Sequence, residues 1–412
     1  MSNSAVIDAA SAAPAVGVSA TPARRIDSID ILRGVVMVIM AIDHSRDYFT
    51  NVRFDPLALK YTWTALFLTR WITHVCAPVF VFLAGTGSYL SMARGKSKAE
   101  ISRFLASRGL WLVLLEYFLI DSAWLFNLDM RNSAAGVIWA IGWSMIALAI
   151  LVWLPVPVIG AFGLLMIALH NAFDPIVPAQ LGEGAWLWTI LHEGGGVPFR
   201  YGFLWVNYPL VPWIGVMAVG YAFGALVRRT EQPLRARLFA RAGLIVTVAF
   251  LVLRAINVYG DPRPWAPKQS TLFTIFSFVN THKYPPSLAY LLMTLGPALL
   301  LLALIERARR RGRTDLLDPL LVFGRVPLFF YLLHLPLLHA MAVGLQMFRG
   351  GDTSWMFGTP PAPSVFTPPA DYGYGLPVVY LIWAIVVVLL YFPCRWFADV
   401  KARRREAWLS YL

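Results

Sequence analysis

The sequence predicts an all-α fold, a polytopic bundle of about ten transmembrane helices with both termini in the cytoplasm. Three observations carry this expectation. Hydrophobic residues make up 58% of the chain and charged residues only 14%, with a mean hydropathy of +0.63, against about 25% charged in ordinary soluble domains. Apolar windows of about 20 residues, long enough to cross a bilayer, recur along the chain. The basic residues fall in alternate connections, as retention of positive charge on the cytoplasmic side requires.

Residues 1–23 are rich in Ala, Ser and Val without a period. They read as a disordered cytoplasmic lead, and not as a signal peptide, because no basic region precedes an apolar core. The transmembrane domain is expected over 24–400, with a basic cytoplasmic tail at 401–412. Span one, residues 27–48, carries Asp30, Arg33, Asp43 and His44 and is expected to remain as an uncleaved anchor. Span two, 65–91, holds Arg70 and His74, four apart and so on one helical face. Span three, 104–126, holds Asp121. Spans four and five, 134–154 and 155–171, meet at Leu154-Pro155-Val156-Pro157, where a proline pair either ends or kinks a helix. Spans six, seven and eight cover 206–227, 239–259 (with Arg254) and 286–306. Span nine, 318–347, holds His334 and His339, and span ten covers 376–397. With the N-terminus inside, 22 of the 35 basic residues fall in cytoplasmic segments and nine in outer loops, which favours ten spans over nine.

The longest outer loops, 172–205, 260–285 and 348–375, are rich in Gly, Pro and aromatics and are expected to cap a cavity. Trp63, Trp71, Trp124, Trp205, Trp213 and Trp396 lie near span ends, where an interfacial belt accounts for them. Cys76 and Cys394 both fall within spans, which argues against a disulfide framework or a thiolate metal site. The net charge of +13 is spread over four cytoplasmic edges and the tail. That distribution fits anionic lipid headgroups, so the bilayer and not nucleic acid is the expected partner. No zinc, Walker or dinucleotide-binding pattern is present, and no metal is predicted. His192-Glu193-Gly194-Gly195-Gly196 has no G-x-S-x-G nucleophile to accompany it and reads as a flexible loop.

The segments RIDSIDILRGVVMVIMAIDHSRDYF, LTRWITHVCAPVFVFLAG, YPLVPWIGVMAVGYAFG, KYPPSLAYLLMTLGP and FGRVPLFFYLLHLPLLH resemble bacterial membrane proteins grouped with the heparan-alpha-glucosaminide N-acetyltransferase catalytic domain. The resemblance runs from about residue 25 to the last span. The spacing of Arg33 and His44 also resembles the Arg and His motif of the acyltransferase-3 membrane enzymes. Together these imply a bacterial inner-membrane acyltransferase that takes acetyl-CoA from the cytosol and acylates a sugar or glycan outside. The heparan acetyltransferases have an amide residue where His44 stands, and their proposed catalytic His lies in the following loop. Residues 45–73 of this chain contain no His, so His44 is the candidate.

The residues point the same way. Eleven helical steps of about 100° bring His44 to within roughly 20° of Arg33, about 16 Å further along the axis. Ionisable groups in hydrocarbon are costly enough to suggest function. Asp43, His44, Arg70, His74, Asp121, Arg254 and His339 all fall in the outer halves of their spans, with His334 nearer the middle, as around one wet cavity. Acyl transfer to a hydroxyl or amine needs a base that titrates near neutrality, and imidazole does. His44 is the expected catalytic base or acyl carrier. Asp43 or Asp121 is expected to orient a ring or an acceptor, and His74 to relay a proton or stabilise an oxyanion. Arg33, with Asp30, sits where the phosphates of acyl-CoA enter. Arg70, Asp121, Arg254 and His334 are expected to bind substrate or support the site. A proton-coupled transporter or lipid-linked-sugar flippase uses similar groups, but the halves show no inverted repeat. A b-type haem carrier is the third reading of spanning histidines. The oligomeric state stays open, a homo-oligomer included.

Overall fold

A computed structural model describes residues 25–93, 95–129, 131–312, 317–358, 368–404 and 406–412. The expected lead at 1–23 lies outside the described residues. The chain is mostly helical, and helical segments occupy all ten apolar windows. The helices are α1 (Asp27–Phe49), α2 (Thr64–Ile72), α3 (Cys76–Met92), α4 (Lys98–Leu115), α5 (Asp121–Leu125), α6 (Val137–Leu151), α7 (Val156–Leu169) and α8 (Ala185–Trp188). They continue with α9 (Leu210–Arg229), α10 (Gln232–Ile256), α11 (Thr271–Val279), α12 (Leu288–Arg310), α13 (Asp318–Arg325), α14 (Pro327–Phe348) and α15 (Leu376–Arg403). Among the described residues, seven helices are long and apolar enough to cross a membrane. The charges of α1 and of the α4–α5 segment, and the 15-residue length of α6, set those three apart.

The structure resolves one point the sequence left open and differs from the sequence reading in two others. At the Pro155 and Pro157 pair, α6 ends and α7 begins, with Pro155 at the N-cap of α7. A proline early in a helix forgoes only a bond that has no partner there. Span nine is broken at Val326, and Pro327 opens α14. The all-α expectation also omits a three-stranded sheet of β1 (Asn132–Ala135), β2 (Gly195–Phe199) and β3 (Gly202–Val206), in the order β1-β3-β2. β2 and β3 form a hairpin, and β1 pairs in parallel with β3.

Helix α1 is the pivot of the bundle and packs against α3, α12, α13, α14 and α15. Its contact with α13 is a backbone contact. A Cβ added at Gly34 would lie 1.8 Å from the Leu320 carbonyl oxygen, and one at Gly324 1.7 Å from that of Asp30. Small residues let helices approach this closely where both sides are apolar. The approach also lets the Arg33 Nη1 donate to the Gly324 carbonyl at 3.1 Å. Gly324→Ala is therefore expected to cost about 3 kcal/mol, the upper end of overpacking penalties. Thermal unfolding checks this, with Gly344→Ala, which meets nothing within 4 Å, as the tolerated comparison.

Candidate active site

The end of the bundle at the start of α1 is termed inner and the end at its C-terminus outer. At the inner end lies a cavity of about 830 Å³. It is lined by the cations Arg25, Arg33, Lys96, Arg108, Arg325 and Lys401 and by apolar side chains that include Met37, Leu83, Leu112, Ile141, Met145 and Leu328. These cations come from the residues before α1, from α1, the α3–α4 connection, α4, α13 and α15, segments the charge distribution assigns to one side. A second inner cavity of about 620 Å³ shares Arg25 and Arg33 and adds Asp30, Arg228, Arg235 and Arg309. Asp30, almost fully buried, accepts from Arg33 at 2.8 Å and lies 3.1 Å from the Arg25 Nε. A carboxylate three residues away thus holds the Arg33 guanidinium at the border of both cavities.

An outer cavity of about 340 Å³ is lined by Asp43, His44, Arg70, Glu116, Asp121 and Lys283, among others. Val137 and Tyr331 line both this cavity and the larger inner one, so the two meet at these residues. His44 lies 2.6 Å, Nδ1 to Nε2, from His334, which is fully buried. The Nδ1 of His334 lies 2.6 Å from the Tyr331 carbonyl oxygen. A carbonyl only accepts, so this Nδ1 carries the hydrogen and the His334 Nε2 offers a lone pair. The His44 Nδ1–H then donates to it, and the lone pair of His44 is left on Nε2. Trp124 meets the His44 ring edge-on at 5.0 Å between centroids. The imidazole is thereby fixed in both tautomer and plane.

The charges beside this ring are paired. Asp43 accepts from Arg46 at 3.0 Å and from Arg70 at short range, and Arg46 also donates to Asp47 at 2.7 Å. Two guanidiniums and two carboxylates thus join α1 to α2. Deeper in, a π-helical turn at Glu116–Ile120 aims Glu116 at the start of α6, where the Trp139 backbone N–H donates to it at 3.0 Å. Asp121 accepts from the Ala134 N–H at 3.1 Å and so ties β1 to the bundle. Tyr284, in the loop before α12, also faces the cavity. Burial opposes its ionisation, yet the Lys283 and Arg70 cations outweigh this and hold its phenol below the ordinary value.

Of the residues read from the sequence, Asp43, His44, Arg70 and Asp121 line the outer cavity, Arg33 and Asp30 border the inner ones, and His334 joins His44 from behind. His74 and Arg254 do not line these cavities. Helix α2 stops at Ile72, and a tighter 3₁₀ turn over Thr73–Val75 breaks the 3.6-residue period that was to put Arg70 and His74 on one face. His74 is buried edge-on to Tyr290, and its carbonyl accepts from the Tyr290 hydroxyl at 2.8 Å. Arg254 donates to the carbonyls of Phe278, Arg263, Ser277 and Asn280 and lies 3.6 Å from Asp261. It pins the loop that carries Lys283 and does not line the outer cavity. The tryptophan belt is also incomplete: Trp213 is fully buried, and Trp124 and Trp205 line the outer cavity. Sequence reasoning missed Glu116, Lys283, Phe203 and Trp205. Only Glu116 gave a signal, a second acid beside Asp121 in the apolar run of span three.

A family model described as Heparan-alpha-glucosaminide N-acetyltransferase, catalytic, matches residues 25–260, more than half of the chain. No curated protein matches. The matched stretch contains Arg33, His44, Arg70 and Asp121, whereas His334 and Tyr331 lie beyond it.

Proposed function

Because the chain belongs to the heparan-alpha-glucosaminide N-acetyltransferase catalytic family, an acetyltransferase family, we propose that it moves an acetyl group from cytosolic acetyl-CoA to a sugar or glycan on the far side of a bacterial inner membrane. One observation carries the reading. An inner cavity lined by cations and apolar side chains and a polar outer cavity meet at Val137 and Tyr331, with His44 on the outer wall. The inner cavity suits a donor with phosphates at one end and a slender thioester arm at the other. In this reading Arg33, Arg108 and Lys401 hold the phosphates.

The His44 Nε2 takes the proton of the acceptor hydroxyl or amine as that oxygen or nitrogen attacks the thioester carbonyl carbon. The carbon–sulfur bond breaks, and the proton passes from His44 to the departing sulfur. His334 positions His44, and Asp43 and Arg70 hold α1 and α2 around the cavity. The topology that goes with this has ten spans, the α13–α14 break within span nine, and both termini cytoplasmic. It is supported by the gathering of basic residues from separate connections around the inner cavities.

Acetyl-CoA binding and slow hydrolysis by the purified protein in nanodiscs test the proposal. The wild type is expected to bind and hydrolyse the donor. Arg33→Ala is expected to weaken binding about tenfold, the loss of one charge-assisted contact. A wild type that neither binds nor hydrolyses acetyl-CoA rules it out as donor.

A further inference from the structure

The strand β3 places Phe203 and Trp205 on one face, two residues apart, and both line the outer cavity. Their ring centroids are 6.0 Å apart with planes 25° from parallel. Trp205 is in register with Gly196 of β2. A Cβ at Gly196 would fall 1.8 Å from the Phe203 Cζ, so the phenyl ring lies over the glycine beside the indole. The glycine thereby clears the space for the phenyl ring, so that the two near-parallel rings lie together on the cavity side of the strand. The opposite face of the hairpin, with Val197, Leu204 and Val206, packs on the hydrophobic core. Strand alternation thus turns one side to the bundle and the aromatic side to the cavity.

The aromatic pair is held in place. The Asn207 N–H donates to the Ala135 carbonyl at 3.2 Å, and Asp121 holds β1 through Ala134. Polar side chains rim the same cavity, with Asp47, Asp121, Asn132 and Asn207 among them. We infer that Phe203 and Trp205 form the acceptor subsite, on which a pyranose ring stacks by its C–H face while the carboxylates and amides take its hydroxyls. The inference rests on the acetyl-transfer reading for its chemistry, but the stacking is testable without turnover. Aromatic faces carry negative quadrupole charge that attracts polarised C–H groups, and hydroxyls brought out of water need partners at the rim. A volume of about 340 Å³ is at the small end of ligand pockets, about 300–1,000 Å³. It therefore has room for about one pyranose ring.

Saturation-transfer NMR on the full-length protein in nanodiscs, without sugar detergents, uses methyl glucopyranoside and glucosamine as probes. The wild type is expected to saturate the ring C–H protons of a probe, and Trp205→Ala to weaken its binding about tenfold, as loss of about 1.4 kcal/mol of stacking does. Phe203→Ala is expected to do the same, Trp205→Phe to restore most of the binding, and Tyr201→Ala, at the exposed hairpin tip, to have no effect. Absence of saturation in the wild type, or its persistence in the Phe203→Ala/Trp205→Ala double variant, overturns the aromatic subsite. Donor hydrolysis is measured on the same samples. Its absence with pyranose binding intact sinks the acetyl-transfer reading alone.

Discussion

Replacing His44 with Asn is expected to slow acetyl transfer about a thousandfold, within the range of about 10²–10⁴ that a positioned base contributes, while donor affinity is retained. The geometry makes both halves of this statement. His44 lines the outer cavity and not the cationic inner one, so its loss removes no phosphate contact. Its Nδ1 is engaged by His334, whose own Nδ1 is fixed by the Tyr331 carbonyl, which leaves the free lone pair of His44 on Nε2. An Asn amide reproduces the hydrogen bond to His334 but offers no basic nitrogen. His334→Gln gives a smaller loss, because it frees the tautomer and rotation of His44 without removing the base. Single-turnover transfer of a labelled acetyl group, alongside donor binding, checks this. An Asn variant that keeps a tenth or more of the rate excludes His44 as base or acyl carrier.

The parts of this site legible in the sequence are those that local periodicity encodes. An uninterrupted α1 puts Arg33 toward the inner cavities and His44 on the outer one, as an 11-residue separation on one helix requires. The apolar windows and the segregated basic residues likewise follow from hydrocarbon and lipid headgroup physics, which act on each segment alone. What stayed hidden depends on contacts between distant segments. His334 is 290 residues from His44, and no spacing rule links two helices that meet only in the folded bundle. The outer sheet was hidden for a different reason. Gly195-Gly196-Val197-Pro198-Phe199 carries glycine and proline, residues that ordinarily break strands. Here a partner strand on one side and a core on the other hold the segment extended. His74 shows the opposite failure: a clean four-residue spacing lost its meaning because the helix tightened into a 3₁₀ turn one residue before it.

Breaking the Asp43–Arg70 pair from one side is expected to lower stability by about 2–3 kcal/mol, whereas removing both partners costs much less. In water such a pair contributes little, but here the side chains are only 13% and 14% exposed. A lone carboxylate at the centre of a spanning helix costs about 2.5–3.5 kcal/mol on insertion scales, and less toward the interface. With Arg70→Gln, Asp43 keeps Arg46 as its ion-pair partner, which Asp47 already shares. The four-charge network is left with an excess carboxylate, whose neutralisation or solvation has to come from rearranging α1 against α2. The neutral double variant Asp43→Asn/Arg70→Gln has no charge to strand, so it is expected to unfold close to the wild type. A double-mutant cycle of thermal unfolding in nanodiscs measures the coupling. A double variant whose destabilisation equals the sum of the two single ones shows the pair to be uncoupled and removes it as the strut between the two helices. The same cycle read on acetyl transfer separates scaffold from chemistry. Asp43 precedes His44 on α1, so a strut that sets the angle of α1 has to alter the rate in proportion to the stability it restores, and a rate that stays low in the stable double variant assigns Asp43 a direct part at the acceptor.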